Sequence, residues 1–192
     1  IANITTAKKE KRYKWNYDFK ALPGEFFYTS EELKKYKNNA VKEKYIVVEP
    51  HSKQGGAADN KQWIWKRFQE VVNILSKDIK VYQPHYGKPQ LKNTTPVISK
   101  GLRMLSLFLK DSAAFLCNEG GVHHTAATVE AKGVVIFGGF IPPEITGYDF
   151  HTNLFTGGEA CGSRYSCKHC KAAMEAIGVD EVVEHMRKII DV

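Results

Sequence analysis

The sequence predicts an α/β fold in which a mainly parallel sheet is covered by helices on both faces, as in a Rossmann-like domain of three layers. Two observations predict it. Short runs of β-branched residues alternate with segments whose apolar side chains recur at helical spacing, and the connections between them are short. Successive strand, helix and strand segments form right-handed crossovers, which place the strands side by side in parallel. At 192 residues the chain has room for one such domain and a short additional segment.

The first predicted strand covers residues 45–48, where consecutive apolar residues are typical of a strand buried on both faces of a parallel sheet, and Pro50 ends it. After a loop that contains glycine, apolar side chains close to helical spacing predict a helix over 63–75. Trp63 and Trp65 open this helix two positions apart, so we expect one in the core and the other at a lid or interface.

The same alternation continues to the end of the chain. The further predicted elements are a strand at 79–82, a helix around 102–109, a strand at 113–117, a helix at 122–131, a strand at 133–137 and helices at 172–177 and 180–190. Gly178 separates the last two helices, since glycine commonly follows a helix end. We therefore expect residues 45–192 to form the domain.

Residues 1–44 have an irregular pattern and predict a basic linker or the tail of a preceding domain. Within them a helix is predicted over 30–37, because Ser30 can cap it and acidic residues follow near the positive end of the helix dipole. Before Ile46 there are 11 Lys or Arg and 6 Asp or Glu residues, against 17 and 15 in the remainder. Such a segment attracts phosphates, anionic lipid headgroups or nucleic acid, although a solvated linker with ordinary lysines is the favoured interpretation.

Composition excludes several classes of protein. With 43% hydrophobic and 26% charged residues the chain is not a disordered one, and it lacks the run of about 20 apolar residues that a membrane-spanning helix needs. Three of its four cysteines lie within ten residues, which is not a secreted disulfide framework, so we expect a reducing, cytoplasmic location. Because the chain begins at Ile1 without Met, we expect a fragment or a processed product.

Three predicted loops lie beyond the carboxyl ends of strands, where open α/β sheets bind ligands. The first, residues 49–63, contains Gly55 and Gly56, which let the backbone approach a ligand, and Lys61, which can neutralise a diphosphate where a helix begins. The loop matches no standard phosphate-binding motif, so a flexible surface loop is an equal interpretation.

The second loop runs from a buried strand into a helix. In it Gly120 and Gly121 free backbone N–H groups for an anion, and His123 at the helix start can donate to a phosphate or a sugar hydroxyl. A helix cap with two partly exposed histidines explains this pattern equally well. The third loop, residues 137–144, has glycines and prolines suited either to the wall of a base or sugar pocket or to a structural turn.

Taken in order, these segments resemble the C-terminal half of the ADP-heptose:lipopolysaccharide heptosyltransferases, glycosyltransferase family nine. The resemblance covers about residues 44–190. It is carried by Glu49-Pro50-His51, Lys61-Gln62-Trp63, Asn118-Glu119-Gly120 with His123, Ala126-Ala127, Phe137-Gly138, the cysteines from Cys161 to Cys170, and Met174 with Ile177.

The resemblance implies one half of a GT-B glycosyltransferase, an enzyme of two facing Rossmann-like domains with the active site between them. This half would bind the nucleotide-diphosphate sugar, with nucleoside contacts at residues 82–87. A glycan or lipid-linked acceptor and the catalytic base would belong to the N-terminal domain, and peripheral association with a membrane is open. No metal or other cofactor is required.

By the same resemblance, Lys61 meets the diphosphate and stabilises charge on the departing nucleotide. The family's Asp is replaced by Asn118, and Glu119 stands where a small hydroxyl residue is expected, so Glu119 is the candidate to supply the missing carboxylate. The predicted catalytic residues are Lys61 and Glu119. The predicted donor-binding residues are Gly55, Gly56, Lys61, Asn118, Gly120, Gly121 and His123. The identity of the donor sugar stays open.

A cysteine cluster near the end of the chain is a candidate metal centre. Cys161, Cys167 and Cys170 place three soft ligands close together, and His169, His185 or Cys117 could complete a structural zinc or iron site. Free reduced cysteines are the favoured interpretation, because the four-ligand pattern is incomplete.

Two other functions compete with a glycosyltransferase. One is a binding module that keeps the fold without turnover, which the change to Asn118 would allow. The other is a nucleic-acid-binding protein that uses Tyr13, Trp15 and Tyr17 of the basic segment. The second is the least favoured, because the excess charge does not continue onto the predicted domain.

Overall fold

A wholly parallel sheet of six strands forms the centre of the molecule, in a computed structural model that describes residues 4–5, 11–98, 101–156 and 158–191. A short antiparallel pair, β1 (Ile4–Thr5) and β2 (Lys14–Trp15), precedes it. The strands of the main sheet are β3 (Tyr45–Glu49), β4 (Lys80–Pro84), β5 (Thr95–Val97), β6 (Ala114–Asn118), β7 (Gly133–Gly138) and β8 (Thr152–Phe155). Their spatial order is β5-β4-β3-β6-β7-β8.

Helices cover both faces of the sheet and connect its successive strands, except β4 and β5. They are α1 (Ser30–Asn38), α2 (Trp65–Leu75), α3 (Leu102–Lys110), α4 (Gly121–Ala127), α5 (Pro143–Thr146), α6 (Lys168–Ala176) and α7 (Val179–Ile190), and a 3₁₀ turn covers Gly56–Lys61. The predicted fold class, an α/β domain of three layers, is confirmed. None of the helices in the described ranges is long and apolar enough to cross a membrane.

Strand β3 divides its side chains between two cores. Ile46 and Val48 join a cluster with α2, α6 and α7, here called the apolar face. Tyr45 and Val47 join a cluster with α3 and α4, here called the mixed face because it includes Tyr45 and two cysteines. All four side chains are at most 1% exposed, which confirms the prediction of a strand buried on both sides. Each such burial stabilises the fold by about 1.5–3 kcal/mol.

The sequence pattern does not predict the two edge strands, β5 and β8. The three residues of β5 include Pro96, and β8 begins with the polar pair Thr152 and Asn153. Proline removes a hydrogen-bond donor from the ladder and is tolerated at an edge. Neither strand therefore has the long apolar run by which the central strands are recognised.

The helix predicted from Trp63 begins later, at Trp65. Trp63 enters the core ahead of the helix and is 3% exposed, whereas Trp65 is 39% exposed. The expected division of the two tryptophans between core and surface is thus confirmed, although the predicted helix start is wrong.

Two further helices differ from prediction in their bounds. The predicted helix at 122–131 is wrong beyond Ala127, because the chain turns there and passes through Glu130 with φ at 53°. The helix predicted at 172–177 is α6, which begins four residues earlier and is capped by Cys167. The helices predicted around 102–109 and 180–190 agree with α3 and α7.

Residues 11–44, the described part of the segment predicted to be a linker or tail, pack against the domain. Tyr13, Trp15 and Tyr36 contact the mixed face. The predicted helix at 30–37 is α1, with Thr29 rather than Ser30 as its cap. Of the basic segment at 1–44, residues 1–3 and 6–10 lie outside the described residues. The interpretation of residues 1–44 as a linker or tail stays a prediction.

Candidate functional site

A cavity of about 360 Å³, here called the first cavity, opens at the carboxyl ends of β3 and β6. The chain places β4 and β5 on one side of β3 and places β6, β7 and β8 on the other, so this cavity lies where the strand order reverses. The loops leaving the two central strands diverge at such a point and leave a crevice, which is where parallel sheets bind ligands. The first cavity is therefore the candidate site.

Most of the predicted site residues meet at this cavity. Those that line it are Lys61, Asn118, Glu119, Gly120 and Gly121. A Cβ added at Gly120 or Gly121 would meet nothing within 4 Å, so the backbone here borders open space. Gly55 lines a second cavity that also touches Tyr13, Trp15 and Phe140. Gly56 and His123 line neither of the two cavities.

An ion pair stands at the centre of the site. The Nζ atom of Lys61 lies 2.5 Å from Oε2 of Glu119, with side-chain exposures of 24% and 3%. Burial by itself raises the pKa of Glu119, but hydrogen bonding to His124 and the charge of Lys61 outweigh it and lower the pKa to about 2. Glu119 is therefore a carboxylate at neutral pH, and it holds the ammonium of Lys61 at the cavity wall.

The turn that presents Lys61 is fixed by its neighbour Asn60, which is 3% exposed. The Oδ1 atom of Asn60 accepts the backbone N–H of Cys167 at 3.0 Å, and its Nδ2 donates to the carbonyls of Tyr165 at 2.8 Å and Ser163 at 3.1 Å. These three bonds tie the 3₁₀ turn to the loop at 161–167. The position of Lys61 thus depends on the loop that carries the cysteines.

The two adjacent histidines occupy different environments. His123 is fully buried, packs against Phe137 and Tyr148, and has no hydrogen-bond partner for either ring nitrogen among the described residues. Burial, with a contribution from the neighbouring His124, lowers the pKa of His123 to about 3, so its ring is neutral. His123 was predicted to touch phosphate or sugar, yet the structure places it in the interior.

His124, which had no predicted role, is the more exposed histidine of the pair. Its side chain is 42% exposed, with Nε2 3.6 Å from Oε1 of Glu119 and Nδ1 2.9 Å from the hydroxyl of Tyr148. The spacing of residues along α4 indicates which histidine points outward. Ala126 and Ala127 face the sheet, and His123 lies three and four positions before them on the same side of α4, which leaves His124 outward.

The side-chain amide of Asn118 makes hydrogen bonds to the backbone of the protein. Its Oδ1 accepts the backbone N–H of Trp63 at 3.0 Å, and its Nδ2 donates to the carbonyl of Pro50 at 3.1 Å. An aspartate could not donate to that carbonyl, which explains why an amide stands here. The carboxylate that faces the cavity is supplied one residue later, by Glu119.

Glu49 is a further cavity residue to which sequence reasoning gave no role. It ends β3, is 2% exposed and accepts the backbone N–H of His51 at 2.7 Å through Oε1, while Oε2 has no hydrogen-bond partner among the described residues. Burial raises the pKa of Glu49 to about 7. The sequence indicated this residue by placing a carboxylate at the last position of a buried apolar run. A buried carboxylate is uncommon unless it has a partner or a function.

Positive charge surrounds these carboxyl groups. Lys53, Lys61 and Lys88 line the first cavity together with Tyr86, which belongs to the loop where the resemblance implied nucleoside contacts. Several ammonium groups beside open glycine backbone favour an anionic ligand with more than one charge, such as a diphosphate.

In the part of the chain that the structure describes, two groups of side chains could hold a metal ion. In one, the ligand atoms of Cys161, His169 and Cys170 lie within 4.8 Å of one another. Cys167 adjoins it, with its Sγ 3.5 Å from that of Cys161. The other group is Glu119, His123 and His124, in which the carboxylate is already paired with Lys61. The predicted ligand candidates Cys117 and His185 belong to neither group, whereas His169 belongs to the first.

No protein-family model and no curated protein matches this chain. Solved structures do match. A glycosyltransferase of family 9 from Veillonella parvula DSM 2008 has a TM-score of 0.64 and 14% identity, over 88% of this chain and 54% of that one. The iron-containing dodecameric glycosyltransferase TibC from enterotoxigenic E. coli H10407 has a TM-score of 0.63 and 16% identity, over 80% and 48%. The E. coli heptosyltransferase WaaC with ADP has a TM-score of 0.54 and 12% identity, over 77% and 45%.

These likenesses establish the fold. The chain has the α/β architecture found in heptosyltransferases of the GT-B type, and the resemblance inferred from its motifs is confirmed at that level. The chain spans about half the length of the structures that it matches.

Proposed function

We propose that this chain is the donor-binding domain of a glycosyltransferase similar to the heptosyltransferases. It binds a nucleotide-diphosphate sugar in the first cavity, and the sugar is transferred to a glycan or lipid-linked acceptor. The observation that carries the proposal is the meeting of Lys61, Glu119 and the open backbone of Gly120 and Gly121 at the reversal of strand order. The shared fold supports it, since WaaC is described with ADP.

The chemistry of transfer suits this arrangement. The bond between the anomeric carbon and a diphosphate oxygen breaks, and the nucleoside diphosphate leaves with the bonding electrons. Lys61 touches the diphosphate and stabilises the charge that grows on it. Glu119 acts through Lys61, by holding the ammonium in place. The acceptor hydroxyl oxygen forms the new bond to the anomeric carbon and loses its proton to a base, which we place with the acceptor on a facing domain.

One observation favours a second candidate, a module that binds the donor without turnover. The ion pair with Glu119 neutralises part of the charge that Lys61 would offer to a leaving group. Sugar transfer and donor hydrolysis assays separate the two candidates, because only the enzyme releases free nucleoside diphosphate.

Titration calorimetry tests whether a nucleotide-diphosphate sugar binds at Lys61, which both candidates require. We expect ADP-, GDP- or UDP-sugars to bind, and Lys61→Ala to weaken binding roughly 10- to 100-fold, as expected for loss of a charged hydrogen bond. Lys66→Ala is the matched control, because Lys66 lies on α2 with its side chain 85% exposed. Equal losses in the two variants, or no binding to the unaltered chain, would contradict the proposal.

The proposal includes a structural zinc or iron ion at the cysteine cluster, held by Cys161, Cys167 and Cys170 with His169 as fourth ligand. Three thiols and an imidazole are ligands that both metals accept. The support is the proximity of these atoms and the fold shared with TibC, which is described as iron-containing. In a reducing cytoplasm, where we place the protein, the alternative is three free thiols at this cluster. Elemental analysis of the purified chain and of Cys161→Ser distinguishes them.

A further inference from the structure

We propose that the second cavity holds the glycosyl unit of the nucleotide sugar, and that the rings of Tyr13 and Trp15 bind its C–H face above Phe140. The inference rests on the proposed function, because it assigns the sugar of the same donor. It gives a binding role to the N-terminal segment, which the sequence suggested was a linker or tail.

The second cavity continues the first. It has a volume of about 360 Å³, and three of its lining residues, Lys53, Ala58 and Lys61, also line the first cavity. A diphosphate held at Lys61 would therefore lie at the junction, with one cavity on each side of it. The first cavity adjoins the end of β3 and the loop after β4, where a nucleoside fits, so the sugar falls on the other side. Small-molecule sites have volumes of roughly 300–1,000 Å³, and the second cavity, near the lower limit, suits a single sugar ring.

Aromatic rings form the wall of the second cavity. The rings of Tyr13 and Trp15 stack with centroids 5.8 Å apart at 28°, and they meet the Phe140 ring edge-on at 6.1 and 5.5 Å. The face of an aromatic ring carries partial negative charge, which attracts the positively polarised C–H bonds on one side of a sugar ring. Tyr13 and Trp15 are half-buried, so part of each ring is accessible to a ligand.

A polar group complements this wall. The Nζ atom of Lys61 lies 5.4 Å from the centroid of Phe140, so one side chain reaches both the aromatic wall and the diphosphate position. The indole Nε1 of Trp15 is a buried donor without a hydrogen-bond partner among the described residues, which is uncommon. Because this nitrogen is shielded from solvent, it offers no contact to a ligand in the cavity.

The backbone holds both rings in place. The N–H of Tyr13 donates to the carbonyl of Gly162 at 2.7 Å. Gly162 has φ at 58°, and a Cβ there would come within 2.5 Å of the Tyr13 carbonyl oxygen, so this approach requires glycine. Tyr13 directly precedes β2 and Trp15 ends it, and alternate residues of an extended segment share a face, which brings the two rings together. Tyr17 follows the strand and is 62% exposed, which separates it from the ring pair.

The closing experiment measures how much the sugar adds to affinity. Titration calorimetry on the full chain compares ADP with ADP-heptose, GDP with GDP-mannose and UDP with UDP-glucose. For the pair that binds, we expect the nucleotide sugar to bind more tightly than the diphosphate alone. Tyr13→Leu and Trp15→Leu should each lower this ratio roughly 3- to 10-fold, as loss of an aromatic contact predicts, and leave the diphosphate Kd within about two-fold. Tyr17→Leu, the matched control on the same segment, should change neither value.

The outcomes separate this inference from the proposed function. If no diphosphate or nucleotide sugar binds the unaltered chain, the proposed function fails and the inference fails with it. If diphosphate binds but the sugar adds no affinity, or the ring variants leave the ratio unchanged, only the inference is overturned. If the variants weaken both ligands equally, the rings act on folding alone and the inference is overturned. Thermal unfolding by circular dichroism and the retained diphosphate Kd show that each variant is folded.

Discussion

The two faces of the sheet differ in the side chains that they bury. The apolar face, under α2, α6 and α7, is built from aliphatic residues with Trp63, Phe68 and two methionines. The mixed face also buries the phenol of Tyr45 and two cysteines, and the buried rings of His123 and His151 lie against its Phe137 and Phe115. Apolar contacts are non-directional, whereas buried polar groups need a partner or remain neutral.

This difference shows where the fold accommodates a function. The apolar face supplies stability, and it can be built from any well-packed set of hydrophobic residues. The mixed face meets the cavities at its carboxyl edge, where Phe140 is part of both the core cluster and the second cavity. We therefore expect substitutions on the apolar face to change stability without changing binding, and substitutions at the mixed edge to change both.

The largest effect should come from Phe68→Ala on the apolar face. Phe68 is fully buried, and removing such a ring costs about 3–5 kcal/mol through lost burial and the cavity left behind. Urea denaturation measures the loss, and calorimetry without denaturant should show an unchanged donor Kd. An increase of more than about three-fold in the donor Kd would show that the apolar face contributes to the site. That result would contradict the proposed difference between the two faces.

Lys61→Ala should destabilise the protein by about 2–3 kcal/mol, somewhat less than for a fully buried pair, because it leaves the buried Glu119 carboxylate without its cation. The double variant Lys61→Ala with Glu119→Gln should recover most of that stability and none of the donor affinity. Urea denaturation and calorimetry on the same samples separate the two effects. Recovery of affinity in the double variant would show that Lys61 does not touch the ligand.

Asn60→Ala should lower stability by about 2 kcal/mol, because it removes three hydrogen bonds from the loop at 161–167. Donor affinity should fall several-fold, since the turn that presents Lys61 loses its anchor. Asn73→Ala on α2 is the matched control, because Asn73 is exposed and bonds to other exposed side chains. An unchanged donor Kd in Asn60→Ala would mean that the loop does not position Lys61.

The smallest effect is a dependence on pH that arises at His123. Burial lowers its pKa to about 3, so between pH 6.5 and 3 the unfolded chain binds a proton that the folded protein does not. Protonation of His123 in the unfolded chain therefore does not lower the free energy of unfolding above pH 6.5. As pH falls below 6.5, it lowers that free energy by at most about 1.4 kcal/mol per pH unit. His123→Phe should flatten urea-derived stability between pH 6.5 and 5. A variant with the slope of the unaltered chain would contradict this origin.

Several features of the fold follow from local pattern. Strands β3, β6 and β7 were recognised because each is a short apolar run that is buried on both faces. Strand β4 was recognised as a short strand at 79–82 although it includes the exposed Lys80. The longer helices were recognised because their apolar side chains repeat at helical spacing. The edge strands were missed because Pro96 and the polar start of β8 remove that run.

The candidate site was predictable in part. Glycine and lysine in loops after strands were enough to select Lys61, Gly120 and Gly121, and the family resemblance added Glu119; all four meet at one cavity. Loop composition alone does not show which way a side chain points. For that reason the neutral, buried His123 was selected in place of His124, and Glu49 received no role.

The sequence by itself determined the α/β class, the succession of its central elements and the edge of the sheet at which a ligand would lie, because periodicity and turn composition act over a few residues. Only the tertiary structure decided which loops share that edge as neighbours. It set the strand order β5-β4-β3-β6-β7-β8, the ion pair of Lys61 with Glu119, and the approach of Tyr13 and Trp15 to Phe140. Such contacts join residues far apart in the chain, and they depend on how the whole sheet and its helices pack.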